Sequence, residues 1–191
     1  MPLLKIAHIG HPVLRQIAKE VPPEEIGTPA LNSFIDDLVA TMRDANGAGL
    51  VAIQVYNPIQ VCALEVDDNP RYPYKPKIPL IVLINPIITP LSEETFSNFE
   101  GCLSVPNMRG RVDRYAEIRV QAQAPDGEDL DFEARGITAG TYQHEVDHLH
   151  GQIFVDKVQD KTSLCTWKEY ERYHKDQFTE EAYKIVEKWG S

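Results

Sequence analysis

The sequence contains few cysteines, no long apolar run and no excess of basic residues. Its three cysteines, Cys62, Cys102 and Cys165, are odd in number and widely spaced, which argues against a disulfide framework. No run approaches the roughly 18 apolar residues of a membrane helix, and the first six residues carry no apolar stretch long enough for a secretory signal. We therefore expect a cytoplasmic protein without membrane association.

The charge balance excludes further classes of partner. The formal net charge is −10 at pH 7, and phosphate backbones attract clustered Lys and Arg, so we expect no direct DNA binding. Residues 161–191 hold six basic and six acidic side chains. This balance gives no electrostatic reason for the tail to contact ribosomal RNA, although docking to a ribosome through another surface stays open.

The length of 191 residues predicts one catalytic domain over 1–191, with a helical tail over about 161–191. Strands cluster ahead of a central helix, which indicates an α+β fold. The patterns predict strands over 59–66 and 80–84, a hairpin with arms 111–124 and 129–135, and helices over 11–20, 29–45, 138–149 and from Thr179 onward. Residues 47–50 and 67–79 are predicted to be loops.

The most informative segment is His144-Glu145-Val146-Asp147-His148. Two histidines four residues apart lie on one face of a helix, where both imidazoles can bind one metal ion and the neighbouring glutamate can transfer a proton. The alternative is a surface helix with two solvated histidines. Asp147 has two interpretations of equal weight, as a carboxylate that orients a ligand imidazole or as the partner of a nearby arginine.

Cys102 is the candidate third ligand. It follows Gly101, whose missing side chain lets the backbone approach a ligand closely. Cys62 and Cys165 are better interpreted as small buried hydrophobic residues. Three protein ligands leave one position for water, which is typical of catalytic metal sites. The residues alone therefore suggest a metal-dependent hydrolase.

Three segments together resemble the peptide deformylase family. They are residues 47–54 (GAGLVAIQ), residues 100–104 (EGCLS) and residues 143–149 (QHEVDHL). The opening around residues 11–15 is also similar, and the resemblance spans about 5–158. Val51 departs from the family pattern, which has alanine there. Because valine is larger and stiffer, we expect it either to narrow the pocket or to repack the layer behind Gln54.

The resemblance implies antiparallel or mixed sheets around a central helix that carries the motif, plus a C-terminal helix. It also implies roles for ten residues: metal ligation by Cys102, His144 and His148, catalysis by Glu145, Gln54 and the Leu103 backbone, and peptide binding by Ala48, Gly49, Gly101 and Arg109. Arg109 has an equally weighted alternative as a solvated charge paired with an acid such as Glu100.

The resemblance further implies that N-formylmethionyl peptides are the substrate and formate a product. It favours one Fe(II) ion per chain, while a thiolate with two imidazoles also accepts Zn, Ni or Co. Two alternatives stay open at this point. One is a zincin-like endopeptidase, which shares the two-histidine motif, and the other is a non-catalytic protein that binds peptide N-termini or metal.

Overall fold

The computed structural model describes residues 2–67 and 73–190. The strands are β1 (Gly49–Val51), β2 (Val61–Val66), β3 (Ile78–Pro90), β4 (Thr95–Cys102), β5 (Val105–Tyr115), β6 (Glu117–Gln123), β7 (Asp129–Arg135) and β8 (Cys165–Thr166). The α-helices are α1 (Pro29–Asp44), α2 (Gly136–Leu149), α3 (Phe154–Lys157), α4 (Trp167–Tyr173) and α5 (Lys175–Trp189).

Two antiparallel sheets surround the central helix α2. Five strands form one sheet in the order β1-β2-β3-β6-β7, and β4, β5 and β8 form the other. Helix α2 contacts strands of both sheets, so both sheets contribute to its surroundings. This arrangement confirms the predicted α+β class with a central motif helix.

Helix α1 confirms the prediction for residues 29–45 almost to the residue. The Thr28 hydroxyl accepts a hydrogen bond from the Leu31 N–H at 3.3 Å, and Pro29 occupies the first helical position, where no N–H is needed. The apolar stripe is buried, as its three- and four-residue spacing requires. Its buried apolar residues are Leu31, Ile35, Leu38, Val39 and Met42.

The predicted helix over 11–20 is wrong. Only Pro12–Arg15 forms a short 3-10 helix, and the next residue, Gln16, is extended. The Ala18 N–H donates to the Leu149 carbonyl at 2.8 Å, and Lys19 forms a parallel bridge with Ile59. These long-range backbone bonds replace the helical ones, which a local pattern cannot reveal.

The strand predictions were incomplete. Residues 47–50 are not all loop, because Gly49–Val51 pairs with β2. Strand β3 extends well beyond the predicted 80–84, and Pro86 lies at an irregularity in its pairing with β6, where a missing N–H is tolerated. Strand β4 was not predicted. Of the predicted loop 67–79, residues 68–72 lie outside the described residues, and Ile78 already belongs to β3.

The predicted hairpin is correct for β6 and β7 and wrong for the part of its first arm that precedes Ala116. Strands β6 and β7 pair around the turn, with Ile118 and Val120 buried and Arg119 exposed. The arm 111–124 is split at Ala116, whose N–H donates to Glu94 and whose carbonyl accepts from Gly136. The chain passes from one sheet to the other at this point. The alternation of apolar and polar residues continues from β5 into β6, so the sequence does not indicate the change of sheet.

The C-terminal tail packs against β4, the strand that ends at Cys102. The Phe178 side chain of α5 is fully buried, and its ring lies 5.5 Å from that of Phe99 on β4 and 5.3 Å from that of Tyr74. Helix α5 begins at Lys175 rather than at the predicted Thr179. Among the helices of residues 2–67 and 73–190, none combines the length and apolar character that a membrane crossing requires.

We predict that the tail is required for stability. Phe178→Ala should lower the free energy of unfolding by about 3–5 kcal/mol, because it leaves a cavity among packed aromatic rings. Tyr183→Ala on the exposed side of the same helix should stay within about 0.5 kcal/mol of the original protein. Urea titration followed by circular dichroism measures both. Equal effects of the two substitutions would contradict the docking of α5.

Candidate metal centre

Helix α2 carries the two histidines into the interior. His148 is 1% exposed and Glu145 is 5% exposed, so this helix is not a solvated surface helix. The ring centroids of His144 and His148 lie 5.2 Å apart, as their four-residue spacing predicts. His150, two residues further on, is exposed.

Strand β4 supplies the third candidate ligand at its end. The Cys102 Sγ lies 3.3 Å from the His148 Nε2, and the candidate ligand atoms of Cys102, His144 and His148 all lie within 4.8 Å of one another. One sulfur and two imidazole nitrogens at this spacing form a donor set that fits a divalent transition metal. The structure thus brings together the three candidate ligands that the sequence singled out.

A buried carboxylate fixes the orientation of His144. The Glu100 Oε2 lies 2.8 Å from the His144 Nδ1, which leaves the Nε2 of that ring for a metal. Glu100 is held in turn by Arg114, which donates to both carboxylate oxygens at 2.7 and 2.9 Å. Glu100 is therefore the group that orients the imidazole of this candidate ligand, a role that the sequence analysis considered for Asp147.

Asp147 is the partner of a nearby arginine, which was the second of its two interpretations. Its carboxylate accepts from the Arg114 guanidinium at 2.6 Å and lies 3.0 Å from the Lys157 ammonium. Arg114 is 3% exposed and lies between the carboxylates of Glu100 and Asp147. The sequence analysis did not single out Arg114, because nothing in an alternating strand pattern distinguishes a buried arginine from an exposed one.

These contacts shift the ionisation of the buried groups. Burial opposes the charge on Glu100, yet the neighbouring Arg114 guanidinium and His144 hold the pKa of this carboxyl well below its usual range. Burial likewise opposes a thiolate at Cys102, but His148 and His144 hold the pKa of this thiol well below its usual value. The cysteine is thereby prepared to act as an anionic ligand.

Glu145 is the buried acid beside the three candidate ligands. Its Oε2 is buried, with no hydrogen-bond partner among the described residues, and burial raises the pKa of its carboxyl. Gly49 of β1 lies directly against it, because a Cβ added there would fall 2.4 Å from the carboxylate. A glycine at this position is therefore required for the close approach of strand and carboxylate.

Gln54 lies on the other side of the cysteine. Its Oε1 accepts from the Val51 N–H at 2.9 Å, and its Nε2 donates to the Ser104 hydroxyl at 3.0 Å and lies 3.5 Å from the Cys102 Sγ. The amide group is thus fixed with its nitrogen toward the site. Val51 is fully buried in the core cluster that includes Cys62, so it supports this layer and does not line the cavity.

A cavity of about 380 Å³ opens beside these groups. The predicted peptide-binding residues Ala48, Gly49, Gly101 and Arg109 all line it. Arg109 lies tightly against Gly101, and its guanidinium is 4.3 Å from the centroid of the Trp167 ring. The alternative partner for Arg109, Glu100, instead bonds to Arg114 and His144.

Comparisons with known proteins point to one family. The family model described as polypeptide deformylase matches residues 3–163. Peptide deformylase 1 of Nitrosomonas europaea is 42% identical over 159 residues, which cover 83% of this chain and 88% of the relative. Peptide deformylase 2 of Ralstonia nicotianae is 43% identical over 161 residues, which cover 84% and 88% of the two chains.

A solved structure extends the likeness to the fold. The Met-Ala-Ser-bound class I type b peptide deformylase of Acinetobacter baumannii has a TM-score of 0.80 and 38% sequence identity to this chain. The match covers 82% of this chain and 99% of that one. The tail beyond residue 163 lies outside the family-model match.

We predict that Glu100→Gln weakens metal binding about 10–100-fold, because the neutral amide holds the His144 ring less firmly. Competition with a chromogenic chelator at neutral pH measures the affinity. Glu181→Gln, which removes an acid paired with Arg111 at 2.8 Å on α5, serves as the control and should leave the affinity unchanged. An unchanged affinity in folded Glu100→Gln protein would contradict the orienting role.

Proposed function

Because this chain belongs to the peptide deformylase family, whose members remove the N-formyl group from nascent peptides, we propose that the cavity beside α2 binds the formylated end of a peptide. The chain is a hydrolase of the formyl amide, with formate and a free N-terminus as products. The observation that carries the proposal is the buried Glu145 carboxylate, which lies beside three side chains able to hold a metal.

Cys102, His144 and His148 would hold one divalent metal ion. A bound ion would supply Lewis acidity that polarises the formyl carbonyl and lowers the pKa of a bound water. The family resemblance favours Fe(II), and the same donor set also accepts zinc, nickel or cobalt. The low pKa of the Cys102 thiol supports its role as the anionic ligand.

Glu145 would move the proton of the attacking water. Its carboxyl pKa is raised by burial, which brings it closer to the pKa of a base that both accepts and releases a proton near neutrality. Attack of water on the formyl carbon forms a C–O bond, and the C–N bond then breaks. The proton taken by Glu145 would pass to the leaving amine nitrogen, so the peptide departs as a neutral amine.

Gln54 and Leu103 would stabilise the negative charge that develops on the formyl oxygen. The Gln54 Nε2 faces the site beside Cys102, and the Leu103 N–H belongs to the residue directly after that cysteine. Donors fixed before the reaction stabilise developing charge without reorganisation. The hydrogen bond from the Val51 N–H to Gln54 supports this assignment, because it prevents the amide from turning.

The edge strand β1 and the backbone beside it would bind the peptide. Ala48, Gly49 and Gly101 line the cavity, and an extended peptide can add to such an edge as a further strand. Arg109 would contact the peptide near its first side chain. The Acinetobacter baumannii enzyme was solved with Met-Ala-Ser bound, which supports a short peptide as the ligand by analogy.

No observation on the described residues favours the zincin-like endopeptidase or the non-catalytic binding protein. A zincin-like endopeptidase would take its third ligand from downstream of the helix, whereas Cys102 upstream completes the candidate set here. A protein that only binds N-termini would have no use for a buried carboxylate beside the ligands.

We predict that iron- or nickel-loaded protein releases formate from formyl-Met-Ala-Ser and that Glu145→Ala abolishes this turnover while metal remains bound. Loss of the proton acceptor is the physical reason. Formate is measured with a coupled dehydrogenase, under anaerobic conditions for iron. The exposed His150→Ala serves as the matched control and should keep full activity. A stoichiometric metal complex without turnover would sink the proposal in favour of a binding protein.

We also predict that Gln54→Ala lowers kcat by roughly 10²–10³, as loss of one donor to a developing oxyanion does. Metal content should stay stoichiometric, since Gln54 is not among the three candidate ligands. Gln121→Ala removes the same type of side chain from the exposed face of β6 and serves as the control. Near-normal kcat in the Gln54 variant would remove this residue from the mechanism.

A further inference from the structure

The tail beyond the family-model match contributes one side chain to the wall of the cavity. Trp167 lies after the end of that match, yet it lines the cavity together with Arg109. Strand β8, which directly precedes Trp167, pairs in register with Met108 and Arg109 of β5. This pairing brings the tail to the cavity, in addition to the contacts of α5 with the core.

The first turn of α4 fixes the position of Trp167. The Thr166 hydroxyl accepts a hydrogen bond from the Glu169 N–H at 3.4 Å, so it caps the helix directly before Trp167. Further along the helix, Tyr170 is 3% exposed, and its ring stacks on that of Trp167 with the centroids 5.5 Å apart. The Tyr170 ring also lies 5.1 Å from that of Phe99 on β4. Buried aromatic contacts thus connect Trp167 to β4.

The Arg109 guanidinium contacts both the Trp167 ring and the backbone of Gly101. A Cβ added to Gly101 would fall 1.0 Å from the Arg109 Nη1, so the guanidinium occupies the space that a side chain would take there. Its carbon lies 4.3 Å from the centroid of the Trp167 ring, within the range of a cation–π contact. The Nη1 also donates to the Met108 carbonyl at 3.3 Å. These contacts hold a cation at the cavity wall, beside the residue that precedes Cys102.

An arginine that is ordered before binding meets a ligand at a smaller entropic cost. The arginine side chain has many rotamers, and restricting them during binding opposes affinity. The Trp167 ring restricts Arg109 in advance, because its face attracts the guanidinium and both side chains line the same cavity. Removal of the ring would keep the charge of Arg109 but leave its side chain less ordered. Peptide affinity would fall, while the groups around Glu145 would stay unchanged.

We propose that Trp167 is a positioning residue for substrate binding, which holds the Arg109 guanidinium against Gly101 where it contacts the bound peptide. This role rests on the proposed function, which makes the cavity the peptide site. The C-terminal tail thereby contributes to substrate affinity as well as to stability. The effect is on binding and not on the chemical step, because Trp167 acts through Arg109, which belongs neither to the candidate ligands nor to the groups assigned to proton transfer.

The first test measures formate release from formyl-Met-Ala-Ser by nickel-loaded variants. Trp167→Leu keeps an apolar side chain but removes the aromatic face, so it should raise KM about fivefold and leave kcat within about twofold. Trp167→Phe keeps an aromatic face and should stay within about twofold of the original KM. Tyr173→Leu removes an exposed aromatic ring from the other end of α4, serves as the matched control and should leave KM unchanged.

The second test measures binding without turnover. Isothermal titration calorimetry of the product peptide Met-Ala-Ser into zinc-loaded protein gives a Kd, which Trp167→Leu should raise about fivefold. Arg109→Met should also raise this Kd. In the Arg109→Met background, Trp167→Leu should have no further effect, because a residue that acts through another loses its effect when the other is removed. KM and Kd do not depend on the fraction of active protein, so partial unfolding of a variant does not mimic these results.

The outcomes separate the role of Trp167 from the proposed function. Formate release by the unaltered protein, together with independent effects of the Trp167 and Arg109 substitutions on Kd, would overturn the positioning role and keep the proposed function. An equal rise of KM in Trp167→Leu and Trp167→Phe would overturn the role of the aromatic face. A fall in kcat with unchanged KM would contradict an effect on binding, and no formate release by the unaltered protein would overturn both proposals.

Discussion

The buried ion network of Glu100, Arg114 and Asp147 is the constraint on which the site depends. Arg114 holds one carboxylate from β4 and one from α2, and Glu100 in turn fixes the ring of His144. Removing one member of such a network leaves an uncompensated charge in the interior, which is strongly unfavourable. The network therefore fixes the strand relative to the helix, and with them the sulfur of Cys102 relative to the two imidazoles.

The candidate ligands, the buried Glu145 carboxylate and the Gln54 amide all lie close to this contact between β4 and α2. The end of β4 provides the thiol, α2 provides the imidazoles and the Glu145 carboxylate, and the layer around Gln54 covers the opposite side. Gly49 permits the carboxylate to approach β1, since any side chain there would collide with it. Strand β4, helix α2 and Gly49 together explain how a small cavity holds both the three candidate ligands and the buried Glu145 carboxylate.

Local patterns predicted the parts of the fold and site that local geometry fixes. The His144–His148 spacing and the α1 stripe follow from the helical repeat. Gly101 beside Cys102 singled out the candidate third ligand, and the family resemblance supplied Gln54. Strand β4, the change of sheet at Ala116 and the burial of Arg114 were not predicted, because each depends on contacts between residues distant in sequence.

X-ray absorption spectroscopy of zinc-loaded protein tests the central claim most directly, because zinc does not change oxidation state during the measurement. The account predicts a first shell with one sulfur at about 2.3 Å and two imidazole nitrogens at about 2.0–2.1 Å. Cys102→Ser should remove the sulfur scattering, whereas Cys165→Ser should retain it. A shell of nitrogen and oxygen alone in the unaltered protein would contradict a metal centre built from Cys102, His144 and His148.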